Sequence, residues 1–392
     1  MLMLRQIIIY LVMCCTIVYG DLKLLVIGGE TLHVRYKSKV ILQDVELLDP
    51  FDADSDCIPP PDLPFPRKCM VSEYLDQRPF IVGGSGGMMY DTSLVLVNNT
   101  WIDTPIRLNH SRYCAISSQP KSKTMWVLGG DVQGTHTGMT SEILQHFKIK
   151  TDNGTVTKST FNDTVNAPID IRYSKNDRKC ASKINDTHLF LVGYHSNVSY
   201  IVNTSKQPYT FQTLPQMKFG SHNGGACATL NDSLGVTRLF VAGGGNAQLD
   251  KINLELMIKT EFFDFVTNEW IEGPDLPRLF YMGGVVQYPD ERGVILIGGQ
   301  DLTNFGRNQY KPQYFSDLIR YNQTRNIFEY LPKSLDIPRS RFGAMLVETI
   351  NENCTIFSKI TTSHANSTLP ELLKMMMWFI TIYIVSVPTG VW

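Results

Sequence analysis

Residues 224–278 read GGACATLNDSLGVTRLFVAGGGNAQLDKINLELMIKTEFFDFVTNEWIEGPDLPR, and the rest of the chain varies this stretch. Small residues at 226–230 make a candidate first strand. Asn231-Asp232-Ser233 then supplies a turn, because all three side chains bond to nearby backbone. An apolar run at 239–242 follows and stops at Gly243-Gly244. Four apolar residues without polar alternation predict a strand covered on both faces. The glycine pair predicts a positive φ or a close backbone approach. A third strand ends in Phe262-Phe263-Asp264, a turn at Thr267-Asn268 leads to a fourth carrying Trp270, and Pro274-Asp275-Leu276-Pro277 closes the unit.

The second-strand signal recurs along the chain. It is LLVIGG at 24–29, PFIVGG at 79–84, MWVLGG at 125–130, LFVAGG at 239–244 and VILIGG at 294–299, with LFLVG at 189–193 keeping one glycine. The spacing, roughly 45 to 65 residues, suits a propeller blade with long loops. Apolar run, Gly-Gly, aromatic-Asp, Trp and Pro in that order resemble a Kelch repeat, which implies a β-propeller. The first unit starts at its second strand, with residues 45–49 in the third-strand place, and PRSRFGAMLV at 338–347 resembles a first strand lying after the last unit. The expectation is an all-β, six-bladed Kelch-type propeller over residues 21–350, closed by the C-terminal strand so that no sheet edge stays open. A seventh blade arises if residues 354–360 form another second strand.

Blade junctions repeat as well. Pro61-Asp62-Leu63-Pro64 echoes 274–277, and Arg67-Lys68-Cys69, Arg112-Tyr113-Cys114 and Arg178-Lys179-Cys180 share an Arg-x-Cys entry to the first strand, with Cys227 in the same place without its arginine. Arg67, Arg112, Arg178 and Arg341 either carry positive charge to the channel mouth or pack and salt-bridge between blades.

Compartment is read from four features. Residues 1–20, with Arg5 before an apolar segment and Gly20 last, have the layout of a cleaved signal peptide. Eleven Asn-x-Ser/Thr sequons follow, at Asn98, Asn109, Asn153, Asn162, Asn185, Asn197, Asn203, Asn231, Asn322, Asn353 and Asn366. Chance gives about three, so the excess points to a secreted glycoprotein. Six cysteines remain after cleavage: Cys57, Cys69, Cys114, Cys180, Cys227 and Cys354. An even number in an oxidising compartment predicts disulfides. Short spacing favours Cys57 with Cys69, blade geometry favours pairing between inner strands of adjacent blades, and free buried thiols are a third option. Finally, residues 351–392 form a tail whose apolar end, 375–392, follows small residues and a short spacer, the pattern of a cleaved lipid-anchor signal; a terminal span is the alternative.

Function is less legible. A net charge of −1 gives no basic surplus for nucleic acid. The eight histidines show no metal-ligand spacing, and neither Gly84-Ser85-Gly86-Gly87 nor Gly243-Gly244-Gly245 leads into a phosphate-binding Lys-Ser/Thr. No cofactor is implied. The expectation is a non-enzymatic extracellular module, secreted or held at the cell surface, that presents propeller loops to a protein or glycan. Alternatives are a secreted copper radical oxidase, since galactose oxidase is similar in its Kelch-like blades, and a structural matrix glycoprotein. Turns joining first to second and third to fourth strands share one face, and carry or flank Asn98, Asn153, Asn185, Asn203, Asn231, Asn322 and Asn353. The opposite face carries Asn109, Asn162 and Asn197 and the long loops 130–141, 243–259 and 298–317. Long loops on a rigid scaffold are where binding residues concentrate, which nominates Gln133, His136, Asn246, Asn304, Arg307 and Tyr310. Simple secretion, a lipid anchor and a terminal span are distinguished on expressing cells: release by phosphatidylinositol-specific phospholipase supports the anchor, and recovery of peptides from residues 375–392 in mature protein contradicts it.

Overall fold

The apolar runs before the glycine pairs form the second strands of antiparallel sheets. The computed structural model describes residues 21–33, 38–55, 57–121, 124–132, 142–144, 161–163, 180–192, 197–206, 208–231, 236–246, 255–290, 292–302, 312–349 and 354–356. Five sheets have four strands in sequence order. They are Val71–Leu75, Arg78–Val82, Thr92–Val97 and Thr100–Arg107; Ile116–Lys121, Thr124–Leu128, Glu142–Leu144 and Phe161–Asp163; Cys180–Asn185, His188–Val192, Ser199–Asn203 and Thr210–Thr213; Ala226–Asn231, Thr237–Ala242, Thr260–Asp264 and Glu269–Glu272; and Gly284–Gln287, Val294–Ile297, Asp317–Asn322 and Ile327–Ser334. In the order of their second strands they are sheets two to six. Sheet one has three strands: the C-terminal Gly343–Thr349 pairs with Asp21–His33, which pairs with Ser38–Leu48. This is an all-β propeller. Five blades are complete, which corrects the expectation of six four-stranded blades.

The seven-blade alternative fails for a physical reason. Ile356 bridges back to Thr349 at the end of the closing strand, and Cys354 is bonded to Cys57. Residues 357–360 lie outside the described residues. Cys57 is therefore not paired with Cys69, despite their spacing. Cys69 bonds Cys114, and Cys180 bonds Cys227, each joining the entry regions or inner strands of adjacent sheets.

Each hydrophobic cluster lies between two neighbouring sheets, which accounts for the unbroken apolar runs. Leu25 and Ile27 pack with Ile81 and Leu94 of sheet two, while Leu24 and Val26, alternating with them, pack with Ile295 and Ile297 of sheet six. Phe80 and Val82 likewise face Met125 and Val127 of sheet three. A strand pressed from both sides has no face left for a polar residue. The junction leucines drop into the same seams: Leu63 is 2% exposed and Leu276 is 3% exposed. Trp101 and Trp270 donate from Nε1 to the carbonyls of Pro61 and Pro215, pinning each fourth strand to the junction preceding its own sheet.

The glycine pairs have a further role, which joins sheet to sheet. In four of the five pairs the second glycine donates its N–H to a carbonyl in the junction leading to the next sheet: Gly29 to Arg67 (2.9 Å), Gly84 to Arg112 (2.8 Å), Gly244 to Phe280 (2.7 Å) and Gly299 to Arg339 (2.9 Å). At the first glycine a side chain has no room. A Cβ on Gly28 would stand 2.3 Å from the Arg67 carbonyl oxygen, and one on Gly83 would stand 2.8 Å from that of Arg112. Two residues after each of these acceptors, the junctions also bond to one another. Cys114 N–H donates to Cys69 O (2.9 Å), Cys69 to Arg341 (2.6 Å), Arg341 to Met282 (2.8 Å) and Met282 to Gly224 (2.8 Å). All five residues have positive φ, from 51° to 66°. For the four that are not glycine this geometry costs about 1–2 kcal/mol each, so it persists only where the surroundings fix it.

Closure of the circle is reinforced at three points. Arg339, with no exposed surface, donates to the carbonyls of Gly28 and Asp44 and pairs with Glu46. Glu30, 1% exposed, meets Lys68 at 2.7 Å and Arg341 at 3.2 Å. Burial alone would push the Glu30 carboxyl up, but Arg341 and Lys68 together outweigh it and hold the group below its ordinary value. The Cys57–Cys354 bond then spans 297 residues. Replacing Arg339 by Met is expected to cost about 3–5 kcal/mol, because Glu46 keeps a buried charge without its partner. The paired Cys57→Ser, Cys354→Ser variant should lose about 2–5 kcal/mol. Urea unfolding of secreted protein measures both, and midpoints unchanged from wild type would contradict this closure.

Candidate functional site

The first strand of every sheet faces the propeller axis, and together they enclose a cavity of ≈ 440 Å³. Its wall takes residues from all six sheets, among them Met70, Glu73, Ile116, Ala181, Gly225, Gln287 and Met345. A second cavity of ≈ 300 Å³ shares Glu73, Ser117, Gln119, Ala181, Val285 and Gln287 with it, so the two are parts of one axial space. Backbone needs explain the glycines along the rim. A Cβ on Gly283 would stand 2.5 Å from the Phe280 ring, and one on Gly284 would stand 2.5 Å from the ring of Phe342.

Arginines at the junctions do not charge the mouth. Arg67 and Arg112 are 0% and 1% exposed, and each spends its guanidinium on backbone of the sheet it enters: Arg67 donates to Gly83 O and Thr92 O (both 3.1 Å), Arg112 to Gly129 O (2.9 Å). Burial brings the Arg67 guanidinium down to about 10, still well above neutral pH. The equivalent of these two in the closing segment is Arg339, not Arg341, because Gly28 O plays the part of Gly83 O. Arg341 aligns instead with Cys69 and Cys114 in the ring of positive-φ residues. In sheet five His222 takes the arginine's place, bonding from Nδ1 to Gly243 O at 2.7 Å and from Nε2 to Glu261 at 3.1 Å, while Glu261 accepts the backbone N–H groups of Lys218 and Phe219. In sheet six Phe280 stands there, and Arg278 reaches Gly298 O (2.9 Å) from two residues earlier. Cys227 is likewise displaced from the expected register: it lies on the second inner-strand pair, opposite Val241, whereas Cys180 lies on the first, opposite Val192. Arg178 lies outside the described residues.

Of the residues nominated from sequence, Gln133, His136, Asn304, Arg307 and Tyr310 also lie outside them. Asn246 is in a two-stranded ribbon, paired with Glu255, that continues beyond Gly243-Gly244. A matching ribbon pairs Gln300 with Tyr314 after Gly298-Gly299. Among sequon asparagines, Asn98, Asn109, Asn185 and Asn231 are exposed, while the Asn197 Nδ2 donates to Gln216 and to the Met217 carbonyl. Asn162 is within the strand Phe161–Asp163, and Asn153, Asn353, Asn366, the signal segment 1–20 and the apolar tail 375–392 are not described. Among the described residues there is no group of three metal-ligating side chains, and no helix long and apolar enough to cross a membrane.

Sequence reading missed Glu73, which the axial space makes prominent. By register, the inner-strand place of Glu73 is held by Val286 in sheet six and Met345 in the closing strand. Glu73 is half-buried, and crowding by protein around its carboxyl pushes it up to about 7, against the Ser117 hydrogen bond, which favours the ionised form. Beside it on the same strand, burial raises the Tyr74 phenol, and its hydroxyl is held by a hydrogen bond to the Glu348 backbone. The signal was available only as a charged residue at the third position of a first strand.

Comparisons with known proteins fix the fold and no more. No protein-family model and no curated protein matches the chain. Solved structures do: among 221 matching chains is one titled "Structure of YjhT", with a TM-score of 0.51 and 11% identity, covering 78% of this chain and 91% of that one.

A raised carboxyl has a definite sign in stability. Between its ordinary value and about 7 the folded chain holds a proton that the unfolded chain has released, so stability falls as pH rises through that window. Relative to Glu73→Gln, wild type should lose about 1–2 kcal/mol between pH 4.5 and 7.5, allowing for water reaching the carboxyl through the cavity. Denaturant midpoints at the two pH values measure this, and parallel curves for the two proteins contradict it.

Proposed function

We propose that the chain is a secreted, Kelch-type propeller that works as a non-enzymatic binding module for an extracellular protein or glycan. The observation that carries this reading is the contrast between its two faces. Turns on one side hold two to six residues: Asp76-Gln77 and Asn98-Asn99 each join paired strands with two residues of positive φ, the geometry of a tight hairpin, and the longest, such as 288–293, hold six. On the other side the connections after the glycine pairs rise as ribbons, Gly245–Asn246 with Glu255–Leu256 and Gln300–Asp301 with Gln313–Tyr314. Latched junctions under those ribbons give the rigid base that recognition loops need. Three disulfides are consistent with an extracellular location.

Under this reading sugars on Asn98, Asn185 and Asn231 shield the short-turn face, and the ribbon face carries the exposed sequon Asn109. Secreted protein displayed on a glycan array and on a panel of cell-surface ectodomains supplies the readout. Shortening the loops within 130–141 and 298–317 should reduce capture at least tenfold, and changing the turns at Asn231 and Asn322 should leave it intact. The opposite pattern overturns the face assignment, and capture unaffected by either set overturns the binding role of the loops.

A further inference from the structure

The axial space is a second candidate site, independent of the loop face. Among the described residues, Glu73 is the sole acidic side chain on the wall of either cavity part, and it lines both, with Lys183 on the wall of the second. Its place in the inner strand is held in the other sheets by Ser118, Ser182, Ala228, Val286 and Met345, none of them charged. A carboxyl at that place carries a desolvation cost that an apolar residue avoids, and its single recorded partner, Ser117, is neutral. The titratable side chains on the elements packed around it are Tyr74 and Arg78 of its own sheet, Glu348 of the closing strand and Lys183 of sheet four. Tyr74 is occupied by the Glu348 backbone, and Lys183 is paired with Asp186 at 2.7 Å. Crowding by protein and Ser117 alone set the state of Glu73.

Around this carboxyl the lining divides in two. Ser117, Gln119 and Gln287 put hydroxyl and amide groups on the wall, the Gln287 Oε1 already accepting from the Thr229 N–H at 3.2 Å, while Ile116 and Leu346 supply hydrocarbon. A bare divalent cation needs six or more oxygen ligands at about 2.3–2.6 Å for calcium, and one carboxyl in ≈ 440 Å³ does not provide that shell. An organic ammonium needs less: one counter-charge, a few acceptors and an apolar wall for its chain. We propose that the axial cavity binds a small aliphatic ammonium ion, its head on Glu73 and its hydrocarbon against Ile116 and Leu346.

Binding then requires the ionised carboxylate, so cation affinity rises with pH across the range in which Glu73 gives up its proton. Isothermal titration of the full secreted chain with n-butylammonium and with the neutral isostere n-butanol, at pH 6 and pH 8, tests this. Butylammonium is expected to bind about tenfold more tightly at pH 8 than at pH 6, with butanol unchanged. In Glu73→Gln the pH dependence should vanish and butylammonium should weaken at least tenfold, while an unaltered urea midpoint at pH 6 shows that the variant is folded. Should that variant be destabilised, Ser117→Ala offers a second readout, since it removes the bond favouring the carboxylate and should shift the midpoint of the affinity profile to higher pH. Equal binding of the two probes, binding to Glu73→Gln as tight as to wild type, or no binding of either probe at millimolar concentration overturns the proposal. Loss of capture by the loop face leaves these outcomes unchanged, so the two readings fail separately.

Discussion

The propeller depends on the hydrogen bonds that its junctions make to one another. A sheet satisfies its own ladder, so nothing in the strand pairing says how one sheet should sit against the next. Apolar seams press neighbours together without direction. Direction comes from the backbone: the second glycine of one sheet donates to the junction of the next, and in four sheets the residue two places before the first strand donates to its counterpart in the preceding sheet. Cys69, Cys114, Met282 and Arg341 take a strained positive φ to do so. Four such links are present among the described residues, and the Cys69–Cys114 disulfide lies directly on one of them.

Seen this way, side chains at the junctions are interchangeable if they deliver a donor to one carbonyl. Arg67, Arg112 and Arg339 do it from the same place, His222 does it with an imidazole, and Arg278 does it from two residues upstream. Geometry is conserved within the molecule while residue type is not. The consequence for function is that the base of the ribbon face is fixed in every sheet where it is described.

Much of this was legible in the sequence, for a reason particular to the apolar runs. Runs such as 24–27 and 239–242 lack alternation because each strand is covered twice, and that signature survives without any knowledge of neighbours. The glycine pairs were equally readable, since a Cβ at Gly28 or Gly83 has no room. Disulfide pairing followed the inner-strand argument and not the short spacing of Cys57 and Cys69, because closure brings residue 354 to residue 57. What stayed hidden were matters of register. Grouping Arg341 with Arg67 as a junction arginine misses by two residues, because Arg339 holds the place of Arg67. His222 in place of arginine has no local sequence mark. Glu73 looked like any polar residue of a half-buried strand until the axial space gave its position meaning.

The ring of junction hydrogen bonds is tested most directly by amide hydrogen exchange of the native secreted protein. The N–H groups of Cys69, Cys114, Met282 and Arg341 should exchange only through global unfolding, with protection equal to that of second-strand amides such as Ile81 and Leu296. Exchange of those four through local opening, at the rates of the turn residues Gln77 and Asn99, would show that the junctions follow the packing of the sheets and do not direct it.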